Sequence, residues 1–203
     1  MKITDSHNRL LVYPIQDSSD LEAVYRLTYE TYLRRGICLP NKEKVLIHNR
    51  SLDEVENTCI LIAKQNGQIE ASLSLTIGQT QEEIYNFDVF KEDLQSEPLE
   101  NAPFFSGWRL AVRKEGPHSR FVVLQLILKG MQYLLQKGVT FGYMSFREEH
   151  LQFYRRILPE GYMIGRRQKE TELINSELCM WKCYISEEGY TFLHQLVLRL
   201  SER

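Results

Sequence analysis

Residues 104–165 decide the fold of this chain, and they read FFSGWRLAVRKEGPHSRFVVLQLILKGMQYLLQKGVTFGYMSFREEHLQFYRRILPEGYMIG. The pattern predicts a strand over 104–112, a long helix over 119–137 and a second strand over 140–146. Strands alternating with helices in this way are typical of an α/β or α+β sheet covered by helices.

The turn between the first strand and the long helix contains Gly116-Pro117. A helix start presents unpaired backbone N–H groups and the positive end of the helix dipole, so this junction is suited to holding a phosphate group. A short helix is predicted over 148–158, and it ends at Pro159 and Gly161.

The flanking sequence predicts further elements on both sides. Ser19–Glu22 matches a capping box that opens a helix ending at Gly36, and Asn66-Gly67 is typical of a tight hairpin turn. The acidic, turn-rich segment 79–103 is expected to be a lid or a surface connection. The remaining predicted elements are hairpin strands over 58–64 and 68–77, a short helix or loop within 41–57 with a possible cap at Ser51, strands over 162–164 and 177–185, and a C-terminal helix over 187–200.

Composition restricts the class of protein. The chain has 203 residues, of which 43% are hydrophobic and 26% charged, so we expect a single domain spanning 1–203. A formal charge of -2 argues against nucleic acid as a partner. The first residues lack the apolar core of a secretory signal, and the apolar run Phe121–Leu128 is too short for a membrane span. We therefore expect a cytoplasmic protein with no membrane span.

The cysteines do not indicate a disulfide framework or a metal site. The four cysteines are scattered and none forms a Cys-x-x-Cys pair. Cys179 and Cys183 share one face of a predicted strand with Trp181, which favours buried thiols. We predict no metal ligands.

A thioester carried on phosphopantetheine would fit the strand and helix start described above. Its amide groups can pair with a strand edge, and its phosphate oxygens need several N–H donors. The alternative for this segment is a solvated turn with surface cations. The predicted cofactor-binding residues are Leu110, Ala111, Val112, Arg113, Lys114, Gly116, His118, Ser119 and Arg120.

The order of elements resembles the Gcn5-related N-acetyltransferase (GNAT) fold, and within it the N-acyl amino acid synthases and autoinducer (acyl-homoserine lactone) synthases. The resemblance rests on the hairpin, the Arg109–Val112 strand, the long helix and the segment His150–Arg156. Residues 25–32 are similar to the first helix of those synthases. Arg109 occupies the arginine position of their Glu-x-Ser-Arg signature.

This resemblance implies a twisted mixed sheet with helices on both faces, and here an extra C-terminal helix. It implies transfer of an acyl group, expected to be fatty, from an acyl-CoA or acyl carrier protein thioester to a small-molecule amine, expected to belong to an amino acid. One alternative is an acetyl-CoA-dependent N-acetyltransferase. The other is a degenerate GNAT-like module that senses an acyl thioester or binds a protein partner.

Three residues are predicted to be catalytic. Tyr154 lies at the position where the GNAT family often carries a tyrosine that protonates the leaving sulfur. His150 lies four residues earlier on the same helix face, beside Glu149, and a histidine there can act as a base near neutral pH. The alternatives are a tyrosine that packs on the sheet and a structural histidine.

Three more residues are predicted to bind substrate. Arg109 lies among apolar neighbours, so it needs an anionic or carbonyl partner, which is either an acceptor carboxylate or an internal glutamate. Arg26 on the first helix is a second candidate for the carboxylate. Trp108 is expected to line an acyl pocket or to fill the core.

Overall fold

A computed structural model describes residues 10–98, 103–114, 116–170 and 175–201. Within these residues seven strands form one mixed sheet in the order β1-β2-β3-β4-β5-β7-β6. The strands are β1 (Leu11–Pro14), β2 (Thr58–Gln65), β3 (Gln68–Gly78), β4 (Phe104–Val112), β5 (Phe141–Arg147), β6 (Gly161–Glu170) and β7 (Asn175–Tyr184). The helices are α1 (Ser18–Arg34), α2 (Arg50–Asp53), α3 (Lys91–Ser96), α4 (Pro117–Gln136), α5 (Leu151–Ile157) and α6 (Glu187–Ser201).

Helices cover both faces of the sheet. Successive side chains of β2 point to opposite faces, and the apolar ones on each face pack against a different helix. Ile60 and Ile62 pack with Val24 and Leu27 of α1. Leu61, on the opposite face of β2, belongs to the main core that also contains the buried side chains of α4. The predicted α/β fold, with its mixed sheet, its helices on both faces and its C-terminal helix, is confirmed.

Two predicted helix caps are wrong. The cap of α1 is Asp17, whose carboxylate accepts hydrogen bonds from the backbone N–H groups of Ser19 and Asp20. The cap of α2 is Asn49, whose side-chain oxygen accepts from the N–H of Leu52, where the sequence pattern indicated Ser51. In both cases a carboxylate or amide oxygen two residues before the predicted serine accepts the hydrogen bonds from the N–H groups of the first turn.

The hairpin is confirmed, and one strand was not predicted. Asn66 and Gly67 both adopt positive φ angles, 52° and 78°, as a two-residue hairpin turn requires. β1 pairs antiparallel with β2 at the sheet edge. It ends in Pro14, and an edge position tolerates a residue that lacks an N–H donor.

The segment between β3 and β4 forms a second small core. It contains two short 3-10 turns and α3, and it packs on β5 and β7 on the side of the sheet away from α4. Its buried side chains are Ile84, Phe87, Phe90 and Leu94. This segment is therefore anchored close to the point where β4 meets β5.

β4 and β5 separate from each other, and this separation creates the site. The two strands pair in parallel from Phe105–Gly142 to Gly107–Met144. Beyond Gly107, β4 stays paired with β3, while β5 stays paired with β7 as far as Arg147. In the described part of the chain, the sheet is thus split into two halves that diverge from one another.

A β-bulge in β4 marks the start of the split. The register with β3 shifts by one residue between Ser72 and Ser74, opposite Arg109 and Leu110. Arg109 has a φ of 50°, in the left-handed region that residues other than glycine seldom adopt. Backbone strain of this kind concentrates at functional sites and needs surrounding contacts to maintain it.

We expect Gly142→Ala to destabilise the junction of β4 and β5. A Cβ atom at Gly142 would overlap the ring and the carbonyl oxygen of Phe105, its partner in β4. Overpacking of a rigid core typically costs about 1–3 kcal/mol, and contact with backbone favours the upper end of that range.

Thermal unfolding of Gly142→Ala measures this cost. Gly189→Ala in α6 is the matched control, because the nearest atom to its added Cβ is the Ser186 hydroxyl oxygen at 3.3 Å. Alanine is favoured over glycine in a helix, so the control should lose no stability. Equal melting temperatures for Gly142→Ala and the wild type would contradict the close approach of the two strands.

Candidate active site

A cavity of about 330 Å³ opens where β4 and β5 diverge. Its walls come from the end of α1, residues 37–48, the bulge of β4, the second half of β5 and the segment from His150 to Tyr154. Its apolar lining includes Ile37, Leu46, Leu73, Leu110, Phe146 and Leu178. Its polar lining includes Arg35, His48, Tyr85, Arg147, His150 and Tyr154.

A buried ion pair lies at the bulge. The Arg109 guanidinium binds both carboxylate oxygens of Asp53, with N–O distances of 2.8 and 2.9 Å. Its Nε donates to the Ser74 hydroxyl at 2.9 Å, and the Tyr25 hydroxyl donates to Asp53 at 3.1 Å. The Trp108 ring lies 4.6 Å from the guanidinium carbon. These contacts stabilise the left-handed backbone of Arg109.

The network pairs Arg109 with an acid of the protein itself, as the structural alternative expected, but the acid is an aspartate and not the expected glutamate. Asp53 itself was not identified from the sequence, because it lies in the four-residue helix α2, far along the chain from Arg109. Trp108 lines the cavity and its indole N–H donates to the Thr76 hydroxyl at 3.0 Å. Both predicted residues of β4 therefore reach the cavity.

Tyr154 lies in the cavity wall. A residue that donates a proton to a thioester bound in the cavity would need such a position. Its ring stacks on Phe146 of β5, with 4.3 Å between the ring centroids. Burial raises the pKa of Tyr154 to about 12, although the nearby positive charge of Arg35 opposes this shift. The phenol consequently retains its proton throughout the neutral range.

His150 and Glu149 lie next to each other at the edge of the same wall. His150 lines the cavity, and its Nε2 lies 3.5 Å from a carboxylate oxygen of Glu149. The Glu149 side chain is 55% exposed, and it also lies 3.6 Å from Arg147. Of this predicted pair, the structure brings His150 into the cavity and leaves Glu149 at the surface beside it.

The predicted cofactor-binding strand follows the bulge directly. Leu110 lines the cavity, whereas Ala111 and Val112 are buried and paired with β3. The carbonyl of Val112 accepts hydrogen bonds from the Thr31 hydroxyl at 3.1 Å and from Arg34 at 2.9 Å. The end of β4 is thereby joined to α1.

The predicted cations divide into two groups. Arg113 bonds to the Ile69 carbonyl at 2.9 Å and to Glu30 at 3.0 Å, so its guanidinium is directed toward α1 and β3. The side chains of Lys114, His118 and Arg120 are exposed around the start of α4.

The start of α4 has the local geometry expected of a helix that begins after glycine. Gly116 has a φ of 136°, which favours glycine, and its carbonyl accepts a hydrogen bond from the Ser119 hydroxyl at 2.6 Å. No acidic residue occupies the first turn of the helix. Among the described residues, this first turn itself therefore brings no carboxylate to the positive end of the helix dipole.

Arg26 lies away from the cavity. Its guanidinium pairs with Glu22 at 2.6 Å on the exposed side of α1, and its side chain is 52% exposed. Arg35, at the carboxyl end of α1, is the cation of this helix that lines the cavity. Arg35 was not among the predicted site residues, because helical spacing does not show how the chain after Gly36 turns back.

His48 and Tyr85 were not predicted as site residues, and both line the cavity. The Tyr85 hydroxyl lies 2.6 Å from His48 Nε2. The histidine ring also packs against Tyr32, with 4.9 Å between ring centroids, and lies 6.3 Å from the Trp108 ring. No local sequence pattern signals these two residues, since both lie in segments of irregular structure.

The split sheet, the bulge and the tyrosine in the cavity wall define a GNAT-type acyltransferase. A family model described as N-acyl amino acid synthase FeeM matches residues 23–173. The chain belongs to this family, and it is an N-acyltransferase that moves an acyl group from a thioester to an amine. The resemblance inferred from the sequence is confirmed.

Solved structures share the fold at low sequence identity. FeeM from uncultured soil microbes is 15% identical, covers 89% of this chain and 93% of its own, and superposes with a TM-score of 0.69. The CoA-dependent acyl-homoserine lactone synthase BjaI, solved with SAM and isopentyl-CoA, is 16% identical over 93% of this chain and 90% of its own, with a TM-score of 0.71. The ribosomal-protein-S18-alanine N-acetyltransferase from Escherichia coli is 14% identical over 88% and 95%, with a TM-score of 0.60.

No curated protein matches the chain. No helix within the described ranges has the length and apolar character needed to cross a membrane.

Proposed function

We propose that the chain transfers a fatty acyl group from a phosphopantetheine thioester to the amine of an amino acid. The observation that carries this proposal is the apolar cavity at the split between β4 and β5, with the Tyr154 phenol in its wall. Its volume of about 330 Å³ lies within the range of roughly 300–1,000 Å³ typical of small-molecule sites. An acetyl group alone would leave most of this apolar space unfilled.

The donor is expected to lie along β4. In the described residues β4 has no partner strand on its β5 side beyond Gly107, so its backbone groups are available to the amides of pantetheine. The phosphates would then reach the start of α4, where Lys114 and Arg120 add positive charge to the helix dipole and His118 offers a ring nitrogen. Ser119 and Gly116 shape that turn.

The reaction requires proton transfers at two atoms. The amine nitrogen bonds to the thioester carbonyl carbon, and the bulge at Arg109–Leu110 offers backbone N–H groups for the developing oxyanion. As the C–S bond breaks, the sulfur takes the proton of the Tyr154 hydroxyl. The amine loses a proton to a base, and Tyr154 is reprotonated through solvent. No covalent enzyme intermediate is needed.

Arg35 is the proposed partner of the acceptor carboxylate. It is half-buried, lines the cavity and lies close enough to affect the pKa of Tyr154. A guanidinium can bind a carboxylate through two parallel hydrogen bonds, which would orient the amine of an amino acid. Arg109 is directed toward Asp53, so it supports the bulge beneath this site.

The thioester carrier is coenzyme A or acyl carrier protein, which share the phosphopantetheine arm. BjaI is described as CoA-dependent, which favours coenzyme A by likeness of fold. Arg155 and Arg156 are exposed on α5 beside the cavity, and they would complement an acidic carrier protein. Both proposed donors are intracellular thioesters, which supports the cytoplasmic location expected from the sequence.

Calorimetric titration with acetyl-, octanoyl- and palmitoyl-CoA and with octanoyl carrier protein tests the donor. We expect affinity to rise from acetyl to octanoyl, followed by N-acylation of an amino acid in a mass-spectrometric acceptor screen. A preference for acetyl-CoA would favour the alternative N-acetyltransferase. Binding of carrier protein without binding of any acyl-CoA would assign the carrier. No binding at all would contradict the proposal.

Leu110→Trp should shorten the acyl chain that the cavity accepts. Leu110 is half-buried in the cavity wall directly after the bulge, and an indole there would occupy space meant for the chain. We expect octanoyl-CoA binding to weaken at least tenfold more than acetyl-CoA binding, since the few buried methylenes that the octanoyl chain loses contribute about 0.8 kcal/mol each.

The matched control is Leu198→Trp on α6, where the leucine is 49% exposed and outside the cavity. Binding of both thioesters should be unchanged in this variant. Equal loss of acetyl- and octanoyl-CoA binding in Leu110→Trp would show that the acyl chain lies elsewhere.

A further inference from the structure

His48 and Tyr85 form a hydrogen-bonded pair that lines the cavity. The Tyr85 hydroxyl oxygen and His48 Nε2 are 2.6 Å apart, a short contact for a neutral hydrogen bond. Both side chains are half-buried and both line the cavity. Neither the family assignment nor the proposed roles of Tyr154 and Arg35 account for this pair.

The position of Tyr85 is held by the sheet beneath it. Its backbone N–H donates to the Ser106 hydroxyl of β4 at 2.8 Å. The next residue, Asn86, adopts a left-handed φ of 65°, and its side-chain amide donates to the Ser145 hydroxyl of β5 at 2.9 Å. The two anchoring serines belong to β4 and β5, so the phenol is fixed directly over the split.

His48 is held by its neighbours in a comparable way. Its ring packs edge-on against Tyr32 of α1 and lies near Trp108 of β4. The segment that carries it is closed by Asn41, whose amide donates to the Val45 carbonyl at 2.9 Å. Contacts within the protein therefore orient both members of the pair.

Burial raises the pKa of Tyr85 to about 12, so the phenol keeps its proton at neutral pH. A protonated phenol can donate to Nε2 of a neutral imidazole and still offer its oxygen lone pair to the cavity. Histidine is the side chain suited to receiving a proton near neutral pH. Of the two histidines that line the cavity among the described residues, His150 lies against the carboxylate of Glu149 at the exposed edge.

We propose that the His48–Tyr85 pair accepts the proton that the acceptor amine loses, an inference that rests on the acyl transfer described above. As the C–N bond forms, the nitrogen gives its proton to the Tyr85 oxygen while the Tyr85 proton moves to His48 Nε2. The sulfur leaves with the proton of Tyr154. His48 then releases its proton to solvent, and Tyr154 regains one, so the cycle is balanced.

The test compares single-turnover acyl transfer in the wild type, His48→Ala, Tyr85→Phe and the double variant, with octanoyl-CoA bound in each. General base catalysis contributes roughly 10²–10⁴-fold, so each single variant should lose at least about 100-fold in rate with donor affinity retained. Since the two residues act as a unit, the double variant should be no more than a few fold slower than either single variant. Added imidazole should restore at least tenfold to His48→Ala and nothing to Tyr85→Phe.

A folded His48→Ala that binds donor and keeps its rate within about threefold would overturn the proposal, as would a loss that imidazole does not restore. If the alanine variant fails to fold, His48→Asn provides the comparison of rates, without the imidazole rescue. Hydroxylamine serves as a second acceptor, because its nitrogen also loses an N–H proton when it attacks the thioester. Transfer to hydroxylamine without transfer to any amino acid would contradict the acceptor class alone, and loss of wild-type donor binding would contradict the donor.

Discussion

Tyr154→Phe is expected to lower the rate of acyl transfer at least about 100-fold while the affinity for acyl-CoA stays within about twofold. The phenol is the proposed source of the proton that the leaving sulfur takes, and a general acid contributes roughly 10²–10⁴-fold. Phenylalanine preserves the stacking on Phe146, so the cavity wall should remain in place. Single-turnover kinetics at saturating acyl-CoA measure the chemical step directly.

The matched control is Tyr133→Phe, which removes a half-buried hydroxyl from α4 outside the cavity. Burial also raises the pKa of Tyr133, so the two substitutions remove comparable groups from different places. The control should keep the wild-type rate. An unchanged rate in Tyr154→Phe would remove this residue from the mechanism and leave the sulfur to be protonated by solvent or another group.

Arg109→Met should destabilise the protein by about 3–5 kcal/mol, because it leaves the Asp53 carboxylate buried without its partner. The Arg109 side chain is fully buried and that of Asp53 is 7% exposed, so solvent offers little compensation. In a domain of this size, such a loss corresponds to a fall of roughly 6–20 °C in Tm. Thermal and urea unfolding provide the measurement.

Two controls separate the charge effect from loss of packing. Arg26→Ala removes a surface ion pair and should change stability by less than about 1 kcal/mol. The double variant Arg109→Met with Asp53→Leu removes both charges, and we expect it to recover at least half of the stability lost by Arg109→Met alone. A double variant as unstable as the sum of both single variants would show that the ion pair is not the cause.

Loss of the Arg109 side chain should also affect acyl transfer, because this side chain supports the bulge of β4. Arg109 holds its own backbone at a φ of 50° through contacts with Asp53 and Ser74. The same bulge is the proposed source of N–H groups for the oxyanion. We therefore expect any residual folded Arg109→Met to transfer acyl groups slowly even when it binds the donor.

Several elements were predictable because their causes are local. The hairpin follows from Asn66-Gly67, which tolerates the positive φ angles of a two-residue turn. β4, α4 and β5 follow from apolar periodicity over residues 104–146. The GNAT-like order of these elements was enough to indicate acyl transfer, and the family match confirms that activity.

Other features were not predictable, because their causes lie far apart in the chain. β1 is a short edge strand ending in Pro14, and its pairing with β2 gives it an extended structure that its own residues do not signal. The caps of α1 and α2 were assigned two residues too late, since Asp17 and Asn49 compete with serines that match the same pattern.

The features of the site also fall into two groups, those with local causes in the sequence and those that depend on contacts between distant residues. The sequence by itself determined that a strand, a helix start and a tyrosine-bearing helix follow in the order that a thioester site needs, because propensity and periodicity act over a few residues. Only the tertiary structure decided that Arg109 pairs with Asp53, that Arg35 rather than Arg26 faces the cavity, and that His48 meets Tyr85. Ion pairs and hydrogen bonds across 37 or 56 residues depend on how the sheet splits and twists, which no local pattern encodes.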